Sequence, residues 1–453
     1  MNAPVLAAPN SDWDVVRATY APAARAALER SIVPFWQRAV DSEHGGVFSC
    51  WNNAGTQLVS RDKFVWSQGR FVWLWSRLAD LAASGMLSFD AGALLEQARA
   101  AAGFLLKHAF LPDGRCAYLL SETGAVKEAF PGAGPAPSIY ADCFVAMGLA
   151  EFGRVSRESA ALDAACALVQ SIEKRIAAGE GATHPAPVPS GYDPYALAMI
   201  CLNIALVMNE ACATTGHPWT SEARQKTYAA AQRIFDHFLL PGGRMVELRP
   251  TEPGREDSLL ARHANPGHAL EGLWMLIAVA REFSRDDWLA RAHEGVRWAF
   301  ERGWDEAHSG LLHFVDCGGG EPRGSAGPSE YEEKVRAAWD VKLWWVHSEA
   351  IYAALASFAA TGNAVARRNF ERVWAYAFRT FPQPDIAFGE WIQIRDRVGR
   401  PVDRVVALPV KDPYHIARNL IQVLELFSRS KTAGTLCSGS AGARKIRSTR
   451  PRA

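Results

Sequence analysis

Two short segments place a histidine in the same local setting: Asn265-Pro266-Gly267-His268 and Asp412-Pro413-Tyr414-His415. Each begins with a residue that caps helices well, continues with a proline suited to the first helical position, and brings the histidine into the first turn. Unpaired backbone N–H groups and the positive end of the helix dipole meet there. That field disfavours the imidazolium, so it predicts two imidazoles that are neutral near pH 7 and able to accept a proton. Three positions on, on the same helix face, stand Glu271 and Arg418. The chemistry this suggests is general acid–base catalysis, because histidine titrates near neutrality. Histidines tied to nearby backbone carbonyls are the plainer reading. A metal site is weakly supported, since His268-x-x-Glu271 stands alone and no HExxH occurs.

Other candidates lie on helical stripes. Lys342, Trp345 and Glu349 fall at i, i+3 and i+7, and Lys63, Trp66 and Arg70 form a similar stripe. On a surface these would be solvated ion-pairing faces; lining a cavity they would form a polar and aromatic wall suited to a sugar. The 16 tryptophans favour the second reading, because flat apolar sugar faces stack on such rings.

Apolar residues recur at i, i+3, i+4 and i+7 in about twelve segments, among them 23–40, 64–83, 140–155, 195–214, 266–283, 339–360 and 413–427. Short β-like pieces opened by glycine or turn residues lie between them, at 45–48, 114–118, 243–246, 310–314 and 388–392. Their spacing of about 65 to 80 residues, or twice that, predicts a repeated unit of two helices plus a hairpin. Helix pairs cannot bury their faces singly; closing them into a ring does, and the prediction is an all-α (α/α)6 barrel over residues 1–429. The stretches 131–137 and 179–194 read as loops. Residues 430–453 are small, polar and basic and are expected to form a disordered tail.

The bulk numbers fit one large core: 453 residues, 49% hydrophobic and 21% charged. A formal net charge of +1 gives no electrostatic reason to expect nucleic acid or an anionic membrane as partner. No apolar run is read as approaching the roughly 20 residues that span a bilayer, and the N-terminus lacks the character of a secretory signal. The eight cysteines are scattered without a CxxC, which suggests reduced thiols and a cytoplasmic protein rather than disulfides or a zinc site.

Several segments taken together resemble the N-acylglucosamine 2-epimerase (renin-binding protein) family: GGVFSCWNNAG from Gly45, KFVWSQGRFVW from Lys63, SIYADCFVAMGLAEF from Ser138, NPGHALEGLW from Asn265, KLWWVHSEA from Lys342 and YHIARNL from Tyr414. The resemblance runs in family order from about residue 30 to 428. It implies an (α/α)6 barrel, a homodimer, and interconversion of N-acetylglucosamine and N-acetylmannosamine, with no required cofactor and ATP as an activator that is not consumed. It also implies His268 and His415 as the two acid/base groups at C2 of the open-chain sugar, with Glu271 and Glu349 orienting them or the ring-opening hydroxyls. Arg70 would stabilise charge on the carbonyl oxygen, and Trp66, Lys342, Trp345 and Arg418 would contact substrate. Ala417 stands where the family usually has proline. An aldose–ketose isomerase acting on mannose or a related sugar is the alternative on the same barrel. A glycoside hydrolase would instead need two carboxylates across the scissile bond.

Overall fold

Two kinds of helix alternate along the chain, and their burial dictates two layers. In the computed structural model, which describes residues 11–406 and 408–435, the N-terminal helix α1 (Ser11–Ala27) passes through a π-turn (Leu28–Ile32) into α2 (Val33–Arg38). The turn sits just before Pro34, whose missing N–H interrupts the α-helical ladder. The strand β1 (Lys63–Phe64) then leads directly into α3 (Val65–Ala83), which is followed by α4 (Ala91–His108), β2 (Leu119–Leu120), β3 (Val126–Lys127), α5 (Ile139–Ser156) and α6 (Ser159–Ala177). Next come β4 (Tyr192–Pro194), α7 (Tyr195–Thr215), α8 (Thr220–His237), β5 (Leu248–Pro250), α9 (Leu259–Arg262), β6 (His263–Ala264), α10 (Pro266–Glu282) and α11 (Asp286–Gly303). The chain continues with β7 (Val315–Asp316), α12 (Glu330–Ala338), β8 (Lys342–Leu343), α13 (Trp344–Thr361), α14 (Ala364–Thr380), β9 (Ile394–Arg395) and α15 (Tyr414–Thr435).

Helices such as α5, buried almost continuously from Ile139 to Arg154, are inner staves. Helices such as α8, α11 and α14 bury one face and turn charged residues outward. The inner ring runs α3, α5, α7, α10, α13, α15, and α15 packs back on α3. Outside it, α4 covers α3, α6 covers α5, α8 covers α7, α11 covers α10, α14 covers α13, and α1 covers α15. The predicted closed barrel of twelve helices is therefore what forms, with the two ends of the chain completing the circle. One hydrophobic core extends from Trp13 to Phe427.

At 21 residues, α7 is long and apolar enough to cross a bilayer by length and composition, contrary to the sequence reading. In the barrel it is an inner stave with most of its apolar side chains buried. The closest inner crossing joins α3 and α5. A Cβ on Gly69 would lie 2.4 Å from the Phe144 carbonyl, and one on Gly148 2.4 Å from the Gly69 carbonyl oxygen.

The expected hairpins exist, each closed by a single bridge: Val40 with Val47, Phe110 with Cys116, Leu239 with Met245, Trp304 with Leu311 and Pro382 with Trp391. Regular strands form one short three-stranded antiparallel sheet, β1-β2-β3, and three antiparallel pairs, and β1, β4, β6 and β8 each run straight into an inner helix. The N-termini of the inner helices thus gather at the hairpin end of the barrel.

One joint recurs there. Val47 N–H donates to Gln68 Oε1 at 2.8 Å, Cys116 N–H to Asp142 Oδ1 at 3.0 Å, and Leu311 N–H to His347 Nε2 at 2.9 Å. In each case a bridge-closing residue is clasped by the fourth residue of an inner helix. Beneath two of these clasps lies a buried ion pair, Lys63 Nζ with Asp41 Oδ2 at 2.7 Å and Lys342 Nζ with Asp305 Oδ2 at 3.0 Å.

This corrects one expectation: Lys63 and Lys342 belong to β1 and β8, not to helical stripes, and Lys342 is a fully buried strut on Asp305. Helix α15 extends to Thr435, into the stretch 430–453 expected as a basic tail; the rest of that stretch lies outside the described residues.

Candidate active site

At the hairpin end, the inner helices surround a cavity of about 240 Å³. Among its lining residues are Trp66, Arg70, His268, Glu271, Trp345 and His415, so six of the nine residues singled out in the sequence meet there. The Trp345 ring neighbours both imidazoles, its centroid 5.2 Å from that of His268 and 5.6 Å from that of His415. Gly267 makes this possible, because a Cβ there would fall 2.4 Å from the indole.

Both histidines are held by capped helix starts, as expected. Asn265 Oδ1 accepts from the Gly267 and His268 N–H groups at 3.0 and 3.2 Å, and Asp412 Oδ1 from Tyr414 N–H at 2.7 Å. Each ring is then fixed through Nδ1 by a buried carboxylate: His268 by Glu247 Oε1 at 2.7 Å and His415 by Glu349 Oε1 at 2.7 Å. Glu247 has no periodic relation to His268, which lies 21 residues away on another element, so the sequence offered no signal for the pair.

The two environments diverge. At His268, burial favours the neutral ring, but the charge and hydrogen bond of Glu247, with Glu271 beyond, outweigh it and raise the pKa above 6.5. The neutral His268 expected from the helix dipole thus meets an opposing field, because the ion-paired carboxylate pushes the pKa upward. At His415, burial comes first, and repulsion from Arg70 and Arg418 adds to it against the pull of Glu271 and Asp412; its pKa is pushed down to about 3. Arg70 Nη2 lies 3.4 Å from His415 Nε2. A guanidinium can only donate, so Nε2 is the accepting nitrogen and Nδ1–H faces Glu349.

Arg70 is pinned by an ion pair with Asp412 and by aromatic faces, its guanidinium 4.0 Å from the Phe144 centroid and 5.0 Å from that of Trp66. The two residues expected beside their own histidines instead pair with each other. Arg418 Nη2 donates to Glu271 Oε1 and to Glu349 Oε1, both at 2.6 Å. Arg418 and Glu349 are not among the lining residues, and Arg418, expected to contact substrate, bonds the two carboxylates behind them. Glu271, Glu349 and His415 have metal-like spacing, yet the guanidinium already supplies the cation between the two carboxylates.

The sequence reading also missed His313, Tyr331, Lys334 and Asn203 in the lining. His313 Nδ1 is 3.1 Å from the Ala338 carbonyl, and burial holds its pKa well below the usual value. Tyr331 and Lys334 come from α12, a short helix seated on the small separate cluster of Leu259, Phe314 and Val335. Residues of the loop 179–194, among them Pro185 and Val188, and the side chains of Val406, Leu408 and Val410 complete the cavity with an apolar wall.

The family model for N-acylglucosamine 2-epimerase (GlcNAc 2-epimerase) matches residues 46–419. N-acylglucosamine 2-epimerase of Bos taurus is 31% identical over 423 residues, covering 90% of this chain and 92% of its own length. The Homo sapiens enzyme is 30% identical over 410 residues, 87% of each chain. Among solved structures, cellobiose 2-epimerase from Spirochaeta thermophila DSM 6192 superposes with a TM-score of 0.69 over 93% of this chain and 99% of its own, at 17% identity. A D-mannose isomerase gives 0.66 over 92% and 100%, at 14% identity. At such identities these structures speak for the barrel alone. The sequence match over most of the chain decides the rest: this protein belongs to the N-acylglucosamine 2-epimerase family.

Proposed function

We propose that the protein is a sugar 2-epimerase that interconverts N-acetylglucosamine and N-acetylmannosamine by moving a proton at C2 of the open-chain sugar. The observation that carries this reading is the pair of imidazoles that line one cavity beside the same Trp345 ring, with their pKa values driven apart. Groups with opposed protonation at one pH are what a one-base, one-acid exchange needs. In one direction His415, neutral with its Nε2 lone pair free of a proton, takes the C2 hydrogen, and protonated His268 returns one to the opposite face. The aldehyde makes that C–H acidic, and Arg70, beside His415, would stabilise the negative charge that develops on the carbonyl oxygen. Glu247 and Glu349 keep each ring in the tautomer that presents Nε2. In the reverse direction the histidines exchange roles through the same enediolate.

The apolar wall of the loop 179–194 with Val406, Leu408 and Val410 suits an acyl methyl group, which favours an N-acylated sugar over a neutral hexose. A homodimer in the cytoplasm, with ATP as a non-consumed activator, is the accompanying proposal.

The test is incubation with N-acetylmannosamine in D2O, followed by NMR. The expected result is N-acetylglucosamine carrying deuterium at C2, with turnover reduced about 10²–10⁴-fold in His268→Ala and His415→Ala. Fructose formed from mannose, without C2 exchange of the acylated sugar, would replace this reading with the isomerase one.

A further inference from the structure

Far from the cavity, the barrel brings two cysteines and a histidine together that the proposed chemistry does not use. Cys166 belongs to α6, Cys212 to the C-terminal part of α7, and His217 to the turn before α8. Asn203, also on α7, lines the active cavity. Cys212 lies nine residues further on, about 13 Å along the helix axis toward the opposite end of the barrel.

We propose that Cys166, Cys212 and His217 form a binding site for a single thiophilic metal ion of the Zn2+ class. One ligand atom from each residue lies within 4.8 Å of the other two. Cys212 Sγ is 4.0 Å from His217 Nδ1. A tetrahedral Zn2+ with two sulfur ligands and one nitrogen needs edges of about 3.5–3.8 Å, so a small contraction closes the site.

The histidine is already in the matching tautomer. Its Nδ1 accepts a hydrogen bond from Trp219 N–H at 3.1 Å, so the ring proton is on Nε2, which is 3.0 Å from Asp163 Oδ1. A carboxylate on the far nitrogen is the usual outer support of a metal-bound imidazole. Binding would exchange the Trp219 contact for the metal.

On binding, two sulfur–metal bonds form, the thiol protons pass to solvent, and the dithiolate cancels the ion's charge. The fourth position is left to water or an external donor. Cys212 is fully buried, Cys166 is 8% exposed and the Asp163 side chain is exposed, so an ion would enter from the α6 side.

The experiment uses the full-length protein, reduced and stripped with a chelator. Titration with Zn2+ against a chromophoric chelator should give one ion per chain, and Cd2+ should give a thiolate charge-transfer absorption. Both should vanish in Cys166→Ala/Cys212→Ala, and affinity should fall at least tenfold in His217→Gln, with sugar turnover unchanged in each. Absence of tight binding to the unmodified protein, or equal binding by the double variant, overturns the proposal. Should the double variant not fold, alkylation of the unmodified protein decides: Zn2+ protecting Cys166 supports the site, and equal labelling with and without Zn2+ refutes it.

Discussion

At the scale of single residues, the controlling fact is that two histidines with similar sequence settings have opposite electrostatic surroundings. The tetrapeptides and their caps were legible; Glu247 was not, because it reaches His268 only through the fold. The pH dependence follows from the directions of the shifts. The acidic form of His268 is lost as pH rises through its elevated pKa, and the basic form of His415 is lost only near pH 3. Activity should therefore hold its plateau below neutrality, until other groups fail, and decline on an alkaline limb above pH 6.5. Glu247→Gln removes the charge that raises His268, so this limb should move to lower pH and the rate at pH 8 should fall by at least tenfold, as read in a kcat/KM profile. An unmoved limb would detach it from His268.

At the scale of elements, the hairpin–helix joint explains why a lysine expected to touch substrate is missing from the cavity lining. Periodicity carried Lys342 onto the helix of Trp345 and Glu349, but the helix starts at Trp344, and β8 turns Lys342 toward Asp305. A strand of two residues leaves no alternation to read, which is why the stripe was misleading. Lys342→Met should lower stability by about 3 kcal/mol, because a buried carboxylate loses one of its two cationic partners, Arg397 being the other. The denaturation midpoint should shift while KM for the sugar stays unchanged; a raised KM with normal stability would restore the substrate role. The short helices α9 and α12 were invisible for the same reason of length, and with α12 went Tyr331 and Lys334.

At the scale of the whole molecule, the repeat of hairpin and helix pair made the closed barrel legible, since that number of half-buried helices has few other ways to hide its apolar faces. What no periodicity announced is the polar girdle at the other end of the ring. Arg77 of α3 bonds Glu151 of α5 at 3.2 Å, Glu210 of α7 at 2.8 Å and Glu425 of α15 at 2.9 Å, tying four staves together. Arg77→Leu should cost about 3–5 kcal/mol and lower the melting temperature by several degrees, with the turnover of the surviving folded protein intact. A variant that melts like the parent would show that the girdle is dispensable.

The clasp itself divides labour among the staves. Where the fourth helical residue is Gln68, Asp142 or His347, it is committed to gripping a turn. In α7, α10 and α15 that place is taken by Ala198, Ala269 and Ala417, which have nothing to grip with. The reactive imidazoles occupy two of these three unfastened staves. A repeated scaffold has released some of its copies from holding the ring shut, and the vacancy is where its chemistry could settle.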